Sequence, residues 1–208
     1  MRFIIHELPY EKPVAAGLFR YERDGRPTGL VEHWRLTMAA DGYQFLRLDL
    51  DGREAAGETM LSHLTLDSDG RVERLSFRYW AAGPVSVGNL LLTAQTATLT
   101  VDMGPERREQ ELALLAGCRL WLPTAAGLGL MLQTGWDQVT AVQLPTRPPF
   151  ALEQVTLGRQ PGPVDGYVTI QMGDQTQTVW LNERGWPEKV VCGDGVTAVA
   201  ARAVWYQR

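Results

Sequence analysis

The sequence predicts an all-β protein built on a single curved antiparallel sheet, an open half-barrel with one or two short helical turns. Three observations carry that prediction. Six Asp-Gly dipeptides punctuate the chain, at Asp24-Gly25, Asp41-Gly42, Asp51-Gly52, Asp69-Gly70, Asp165-Gly166 and Asp194-Gly195. Glycine accepts positive φ freely and aspartate tolerates it, so each dipeptide marks a place where a strand can double back. Between most of them apolar and polar residues alternate, the period of strands with one buried face. Helical periodicity is sparse.

The first clear run, Leu30 to Met38, puts Leu30, Trp34, Leu36 and Met38 on one side with Glu32 among them. Val31, His33, Arg35 and Thr37 take the other side. Ala39-Ala40-Asp41-Gly42 leads to a second run, Tyr43 to Leu50. A loop of two or four residues pairs even positions of one strand with odd positions of the next, which places Tyr43, Phe45, Arg47 and Asp49 beside Trp34. In the next hairpin, Thr59 to Leu66 and Arg71 to Trp80 flank Asp67-Ser68-Asp69-Gly70. Here Met60 and Leu64 belong with Leu75, Phe77 and Tyr79, while Thr59, His63 and Thr65 belong with Arg74, Ser76 and Arg78, toward water. Further strands are expected at Asn89 to Leu92, Thr96 to Met103, Arg107 to Leu114, Val139 to Leu144, Phe150 to Leu157, Tyr167 to Met172, Thr176 to Asn182, Pro187 to Cys192 and Val196 to Tyr206. Successive strands at this spacing describe a meander. A short helix is expected over Ala125 to Thr134, with Thr124 as its N-cap and Leu128, Met131 and Leu132 at helical spacing. Prolines crowd Leu144 to Phe150 and Gln160 to Val164, which suits crossings between strands better than a linker between domains.

One stretch has an echo. Leu64-Thr65-Leu66-Asp67-Ser68-Asp69-Gly70-Arg71-Val72-Glu73-Arg74-Leu75 aligns with Val179-Trp180-Leu181-Asn182-Glu183-Arg184-Gly185-Trp186-Pro187-Glu188-Lys189-Val190. Turn chemistry alone restricts residues at such corners, and two related half-sheets would produce the same pattern.

At 208 residues and 45% hydrophobic content the chain can bury one substantial core, and residues 1–208 are read as one domain. A formal charge of −4, with basic residues scattered among acids, gives no footprint for nucleic acid. The start, Met1-Arg2-Phe3-Ile4-Ile5-His6-Glu7, interrupts any secretory apolar core, and Leu112 to Gln133 is too broken by Arg119, Pro123 and glycines to span a bilayer. A cytoplasmic protein with no transmembrane segment is expected. Cys118 and Cys192 are too far apart in sequence to form a redox or zinc pair by spacing, and a reducing compartment keeps them as buried thiols.

The corner Leu64-Thr65-Leu66-Asp67-Ser68-Asp69-Gly70 followed by Arg71-Val72-Glu73-Arg74-Leu75, with a similar corner near the C-terminus, resembles the LolA-like half-barrel proteins. Within them the chain looks most like the glycolipid-binding branch. Gly29-Leu30-Val31-Glu32-His33-Trp34 matches its Trp-bearing early strand, and Leu120-Trp121-Leu122-Pro123-Thr124-Ala125-Ala126-Gly127-Leu128 its leucine-proline segment. The resemblance covers residues 27 to 206. It implies a curved sheet around an apolar cavity, with a loop or short helix over the opening, and brings no catalytic residues. With no signal peptide expected, a periplasmic carrier role is not implied, and the chain departs from the branch in showing no arginine-rich stretch after Pro123.

Candidate chemistry is limited. His6, His33 and His63 lack the spacing of metal ligands, although His33 and His63 could meet across strands. No serine sits in a nucleophile elbow, no phosphate-binding glycine loop occurs, and no cofactor motif is present. Glu32, Arg47 and Asp49, placed among aromatics, form either a cross-strand ion-pair cluster or a cavity mouth at which Arg47 holds an anionic or hydroxyl-rich headgroup. Tryptophans at 34, 80, 121, 136, 180, 186 and 205 supply core, whereas Trp121, Leu128, Met131 and Trp136 fall in a glycine-rich segment that is either an apolar flap or a packed connection.

The function expected from this reading is non-catalytic binding of an amphipathic small molecule, a lipid or glycolipid, in the concavity. Trp34, Phe45, Arg47, Trp121, Leu128, Met131 and Trp136 are the ligand-binding candidates. Two rivals stay open: an enzyme using Glu32 or Asp49 as its acid or base, and an assembly protein, including a homo-oligomer, joined through the apolar 120–136 segment.

Overall fold

The computed structural model describes residues 7–162, 166–192 and 194–206. Met1 to His6, Pro163-Val164-Asp165 and Gly193 lie outside the described residues, and with them fall the reading of the N-terminal stretch and half of the Asp165-Gly166 turn. Among the described residues, fifteen strands form one curved sheet that does not close, and one short helix lies inside it.

The strands are β1 (Lys12–Arg23), β2 (Arg26–Met38), β3 (Gln44–Gly52), β4 (Glu58–Leu66), β5 (Val72–Trp80), β6 (Ser86–Leu92), β7 (Thr96–Met103) and β8 (Glu106–Ala113). After β9 (Arg119–Trp121) and the helix α1 (Ala125–Leu132) come β10 (Gln138–Gln143), β11 (Glu153–Pro161), β12 (Tyr167–Met172), β13 (Gln175–Leu181), β14 (Pro187–Val191) and β15 (Val196–Trp205). The expected meander is present, running outward from a central β1–β15 pair to β8 on one edge and β9 on the other. Every neighbouring pair is antiparallel except β9 with β10. Edge strand β8 is tied to the β10–β11 connection, where Gln110 donates to Leu152 O (2.9 Å) and accepts from Leu152 N (2.8 Å). Phe150, expected in a strand, instead stacks from the proline-rich connection onto Phe77, with ring centroids 4.7 Å apart.

Asp24-Gly25 makes a two-residue hairpin, with positive φ at both residues (51° and 72°) as a type I′ turn requires. It joins β2 to β1, a strand whose alternation Ala15, Gly17, Phe19, Tyr21 is muted by two small residues. Gly17 is small for a reason, since a Cβ there would lie 2.6 Å from the Trp34 ring. Asp51-Gly52 is no hairpin, because Gly52 ends β3 and the chain turns after it.

The expected face of β3 is corrected by the structure. The β2–β3 loop holds five residues, closed by Ala39 N to Tyr43 O (2.8 Å), and an odd loop pairs even positions with even. Trp34 therefore faces Leu48, and Leu36 faces Leu46, on the core side. Phe45, Arg47 and Asp49 lie on the outer face with His33 and Thr37, since a one-residue change of register moves a whole side-chain set across the sheet. The β4–β5 loop, residues 67–71, is also odd, but a bulge between Thr65 and Leu66 restores the expected pairing of Leu64 with Leu75.

The sequence echo is an echo in structure. In the first corner Asp67 Oδ1 accepts from Asp69 N (2.9 Å) and Arg71 N (2.8 Å), and Asp67 N donates to Arg71 O (2.9 Å). In the second, Asn182 Oδ1 accepts from Arg184 N (2.9 Å) and Trp186 N (3.0 Å), and Asn182 N donates to Trp186 O (2.9 Å). Gly70 and Gly185 take matching positive φ, 75° and 70°. The run β4-β3-β2-β1-β15-β14-β13 brings β13 back to the direction of β4, so both corners open at the same rim.

Candidate functional site

The inside of the curve is occupied by the chain's own helix. Apart from half-buried Leu130, every residue of α1 is buried, as expected of a helix that is apolar all round. Thr124 caps it, its hydroxyl accepting from Gly127 N at 3.0 Å. Glu32, fully buried on the core face of β2, completes the N-terminus: Oε2 accepts from Ala125 N (3.0 Å) and Tyr21 Oη (2.6 Å), and Oε1 accepts from Ala126 N (3.0 Å). Burial pushes the Glu32 carboxyl above its usual range, against the lowering effect of those donors. The same burial, with Glu32 beside it, holds the Tyr21 phenol well above its usual value. Glu32 is thus spent on holding α1 in the sheet.

Trp34, Trp186 and Trp205 pack on the far flank of the helix. Ring centroids of Trp34 and Trp186 are 4.6 Å apart, and those of Trp186 and Trp205 are 5.9 Å apart. Trp121 and Leu128 are buried in the same core, and Trp136 donates its indole N–H to Met131 O (3.0 Å). Most of residues 120–132 is buried, whereas Gln133 and Gly135 are exposed and Trp136 is half-buried.

On the outer face, Arg47 is buried beneath residues 7–11. Its Nη2 donates to Glu11 Oε1 (2.7 Å), its Nη1 to Thr37 Oγ1 (2.9 Å), and Thr37 donates in turn to Glu11 Oε2. Phe45 lies beside this cluster, 5.7 Å from the Arg47 guanidinium. Burial pushes Glu11 up, but the hydrogen bonds from Arg47, Thr37 and Leu8 outweigh it and leave the carboxyl below its usual range. His63, opposite Arg47 across the β3–β4 ladder, is held below 6.5 by burial and by Arg47. His33 stands opposite Asp49, so the two histidines do not face each other.

The signs follow from linkage. His63 binds its proton less readily folded than unfolded, so stability falls as pH drops below about 6.5. The Glu11 contribution is complete above the ordinary carboxylate pKa, about 4.3, and is lost as pH falls through its lowered value. Thermal melts from pH 7.5 downward are expected to show both losses; Glu11→Gln removes the second and His63→Asn the first.

A cavity of about 400 Å³ remains, displaced from the concavity to the rim that carries the corners. Leu120 and Met131 are its buried apolar lining, joined by half-buried Val72, Leu92 and Leu130. The charged lining is Asp67, Arg71, Glu73 and Arg119, with Thr93, Thr134 and the Cys118 thiol among them. Burial pushes the Cys118 thiol up. Of the sequence-derived candidates, only Met131 lines this cavity; Trp34, Trp121, Leu128 and Trp136 belong to the packing around α1, and Phe45 and Arg47 to the opposite face. Arg71 and Arg119 escaped sequence reasoning. Arg119 sits on a three-residue strand too short to show alternation, but the echo did mark Arg71, as the counterpart of Trp186.

No family model matches the sequence, and no curated protein matches it. Two solved structures share the fold. One is a DUF1089 family protein from Pseudomonas aeruginosa, 15% identical over 76% of this chain and 86% of that one, with a TM-score of 0.52. The other is a β-barrel-like protein of domain of unknown function DUF1849 from Brucella abortus, 13% identical over 94% of this chain and 98% of that one, with a TM-score of 0.53. Among the described residues no helix is long and apolar enough to cross a membrane.

Proposed function

We propose that this protein is a non-catalytic binder of an amphipathic small molecule, a lipid or glycolipid, on a LolA-like half-barrel scaffold of the glycolipid-binding kind. The observation that carries the reading is the rim cavity, whose volume of about 400 Å³ falls in the range of small-molecule sites, ~300–1,000 Å³. Its lining combines what an amphiphile requires, Leu120, Leu130 and Met131 for a chain and charged groups for a head. The driving force is removal of acyl surface from water, ~0.8 kcal/mol per methylene, with orientation set at the charged rim. The site sits beside α1 because the concavity itself is filled by the helix.

Native mass spectrometry of freshly purified protein, followed by organic extraction, tests this directly, and a one-to-one adduct is expected. In a thermal-shift panel of single-chain amphiphiles, a ligand at a hundred times its Kd adds ~2.7 kcal/mol, or roughly 5–10 °C for a chain of this size. No adduct and no shift across the panel would end the proposal.

A further inference from the structure

We propose that the rim cavity is a binding corner for an anionic headgroup, a carboxylate or phosphate, taken by Arg71 and Arg119. The inference rests on the amphiphile reading and deepens it. It begins from the two matched corners. Both use one side-chain oxygen, of Asp67 or Asn182, to hold the amides two and four residues on, so Arg71 and Trp186 occupy the same position in the same turn. Both corners open at the rim to which the C-terminal half of α1 points.

Their fates differ. Trp186 turns inward and is 1% exposed, pressed so tightly on the helix that a Cβ on Gly129 would lie 2.9 Å from its ring. Gln133 fixes that corner further, donating to Gly185 O at 3.0 Å. On the other flank of α1, beside Leu130, Met131 and Thr134, no tryptophan fills the space; the counterpart is Arg71, exposed at the cavity. One corner is closed by its own side chain, and the other is open with a cation in the matching position.

The formal charges of the lining cancel, Asp67 and Glu73 against Arg71 and Arg119, so the preference for an anion comes from which of these groups lack a partner. Among the described residues neither Arg71 nor Arg119 is in an ion pair. The two carboxylates of the cavity have other partners: Asp67 holds the turn amides, and Glu73 faces the Tyr43 hydroxyl, whose pKa it raises. The guanidinium forks of Arg71 and Arg119, in a lining that also holds Leu120, Leu130 and Met131, suit a carboxylate or phosphate, which they can bind with paired charge-assisted hydrogen bonds. Desolvation by the buried chain strengthens those bonds.

The test uses ligands with one chain and different heads: laurate, dodecyl phosphate, dodecanol and dodecylamine, below their micellar concentrations, with inorganic phosphate alone as a fifth arm. Laurate and dodecyl phosphate are expected to bind at least about tenfold more tightly than dodecanol or dodecylamine. The R71Q/R119Q double variant is expected to bring laurate down to the affinity of dodecanol. Arg71→Trp, which imitates Trp186, is expected to close the cavity and abolish binding while circular dichroism and Tm report an intact fold. Bound laurate should slow maleimide labelling of Cys118, in the lining, and leave Cys192 unchanged. Equal affinity for the charged and neutral heads, phosphate alone binding as tightly as dodecyl phosphate, or a preference that survives in R71Q/R119Q would each overturn the anion assignment while leaving the amphiphile reading intact. Failure of all four amphiphiles would overturn both.

Discussion

Replacing Glu32 with alanine is expected to destabilise the fold by about 3–5 kcal/mol and to lower Tm by roughly 10 °C or more. The carboxyl accepts from Ala125 N, Ala126 N and the Tyr21 hydroxyl, and all three donors lie where water does not reach. Each buried donor left without a partner costs about 1–3 kcal/mol. The full sum is not reached, because Ala125 N keeps the Tyr21 hydroxyl oxygen as an acceptor at 3.3 Å and the variant also sheds the cost of burying a carboxyl. Glu32→Gln recovers part of the loss, since an amide offers one acceptor oxygen and must turn its NH2 toward the remaining donors. Tyr21→Phe, which removes one donor and strands none, is expected to cost only about 1 kcal/mol.

The pH dependence has a definite sign. A carboxyl whose folded pKa is raised contributes most stability below its unfolded pKa, about 4.3, and loses that contribution as pH rises through the folded value. The gap in unfolding free energy between the wild-type protein and Glu32→Ala should therefore be wider at acid pH than at neutral pH. Chemical denaturation at several pH values, followed by tryptophan fluorescence, measures it. A gap of less than about 1 kcal/mol throughout would mean that α1 is held by packing alone.

The meander was legible because turn residues and period-two alternation are local signals, and Asp24-Gly25, Asp69-Gly70 and the run from Thr59 to Trp80 carry both. What escaped the sequence was parity and depth. The face of β3 depended on whether the Ala39–Tyr43 loop was odd or even, and only the Ala39 N to Tyr43 O bond settles that, moving Arg47 from the expected Trp34 side to a buried ion-pair cluster on the outer face. The short helix over Ala125 to Leu132 and its Thr124 cap were readable, yet whether it lay over the opening or filled the inside depended on a contact with Glu32 ninety-three residues away. The candidate site suffered most. Its lining comes from a turn, a three-residue strand and a helix flank brought together by curvature, and no periodicity joins Arg71 to Arg119.

Removing the Trp186 side chain is the second large effect expected. Trp186→Ala should cost about 3–5 kcal/mol, the range for truncating a buried aromatic, and lower Tm by roughly 10 °C or more. Trp186 is 1% exposed and packs on Trp34, Trp205 and the Gly129 turn of α1, so its loss opens a void that the β13–β14 corner, pinned by Asn182, cannot readily collapse to fill. Gly129→Ala approaches the same contact from the other side. Its Cβ would meet the Trp186 ring at 2.9 Å and Pro187 Cδ at 2.8 Å, and overpacking of this kind costs about 1–3 kcal/mol. In the double variant the ring that the new methyl strikes is gone and the methyl enters the void, leaving only the contact with Pro187. The combined loss should fall short of the sum by about 1 kcal/mol or more, a coupling that residues without contact do not show. Strict additivity across the four proteins, measured by urea unfolding, would mean that Trp186 and α1 do not share this contact and that the closed corner is not a template for the open one.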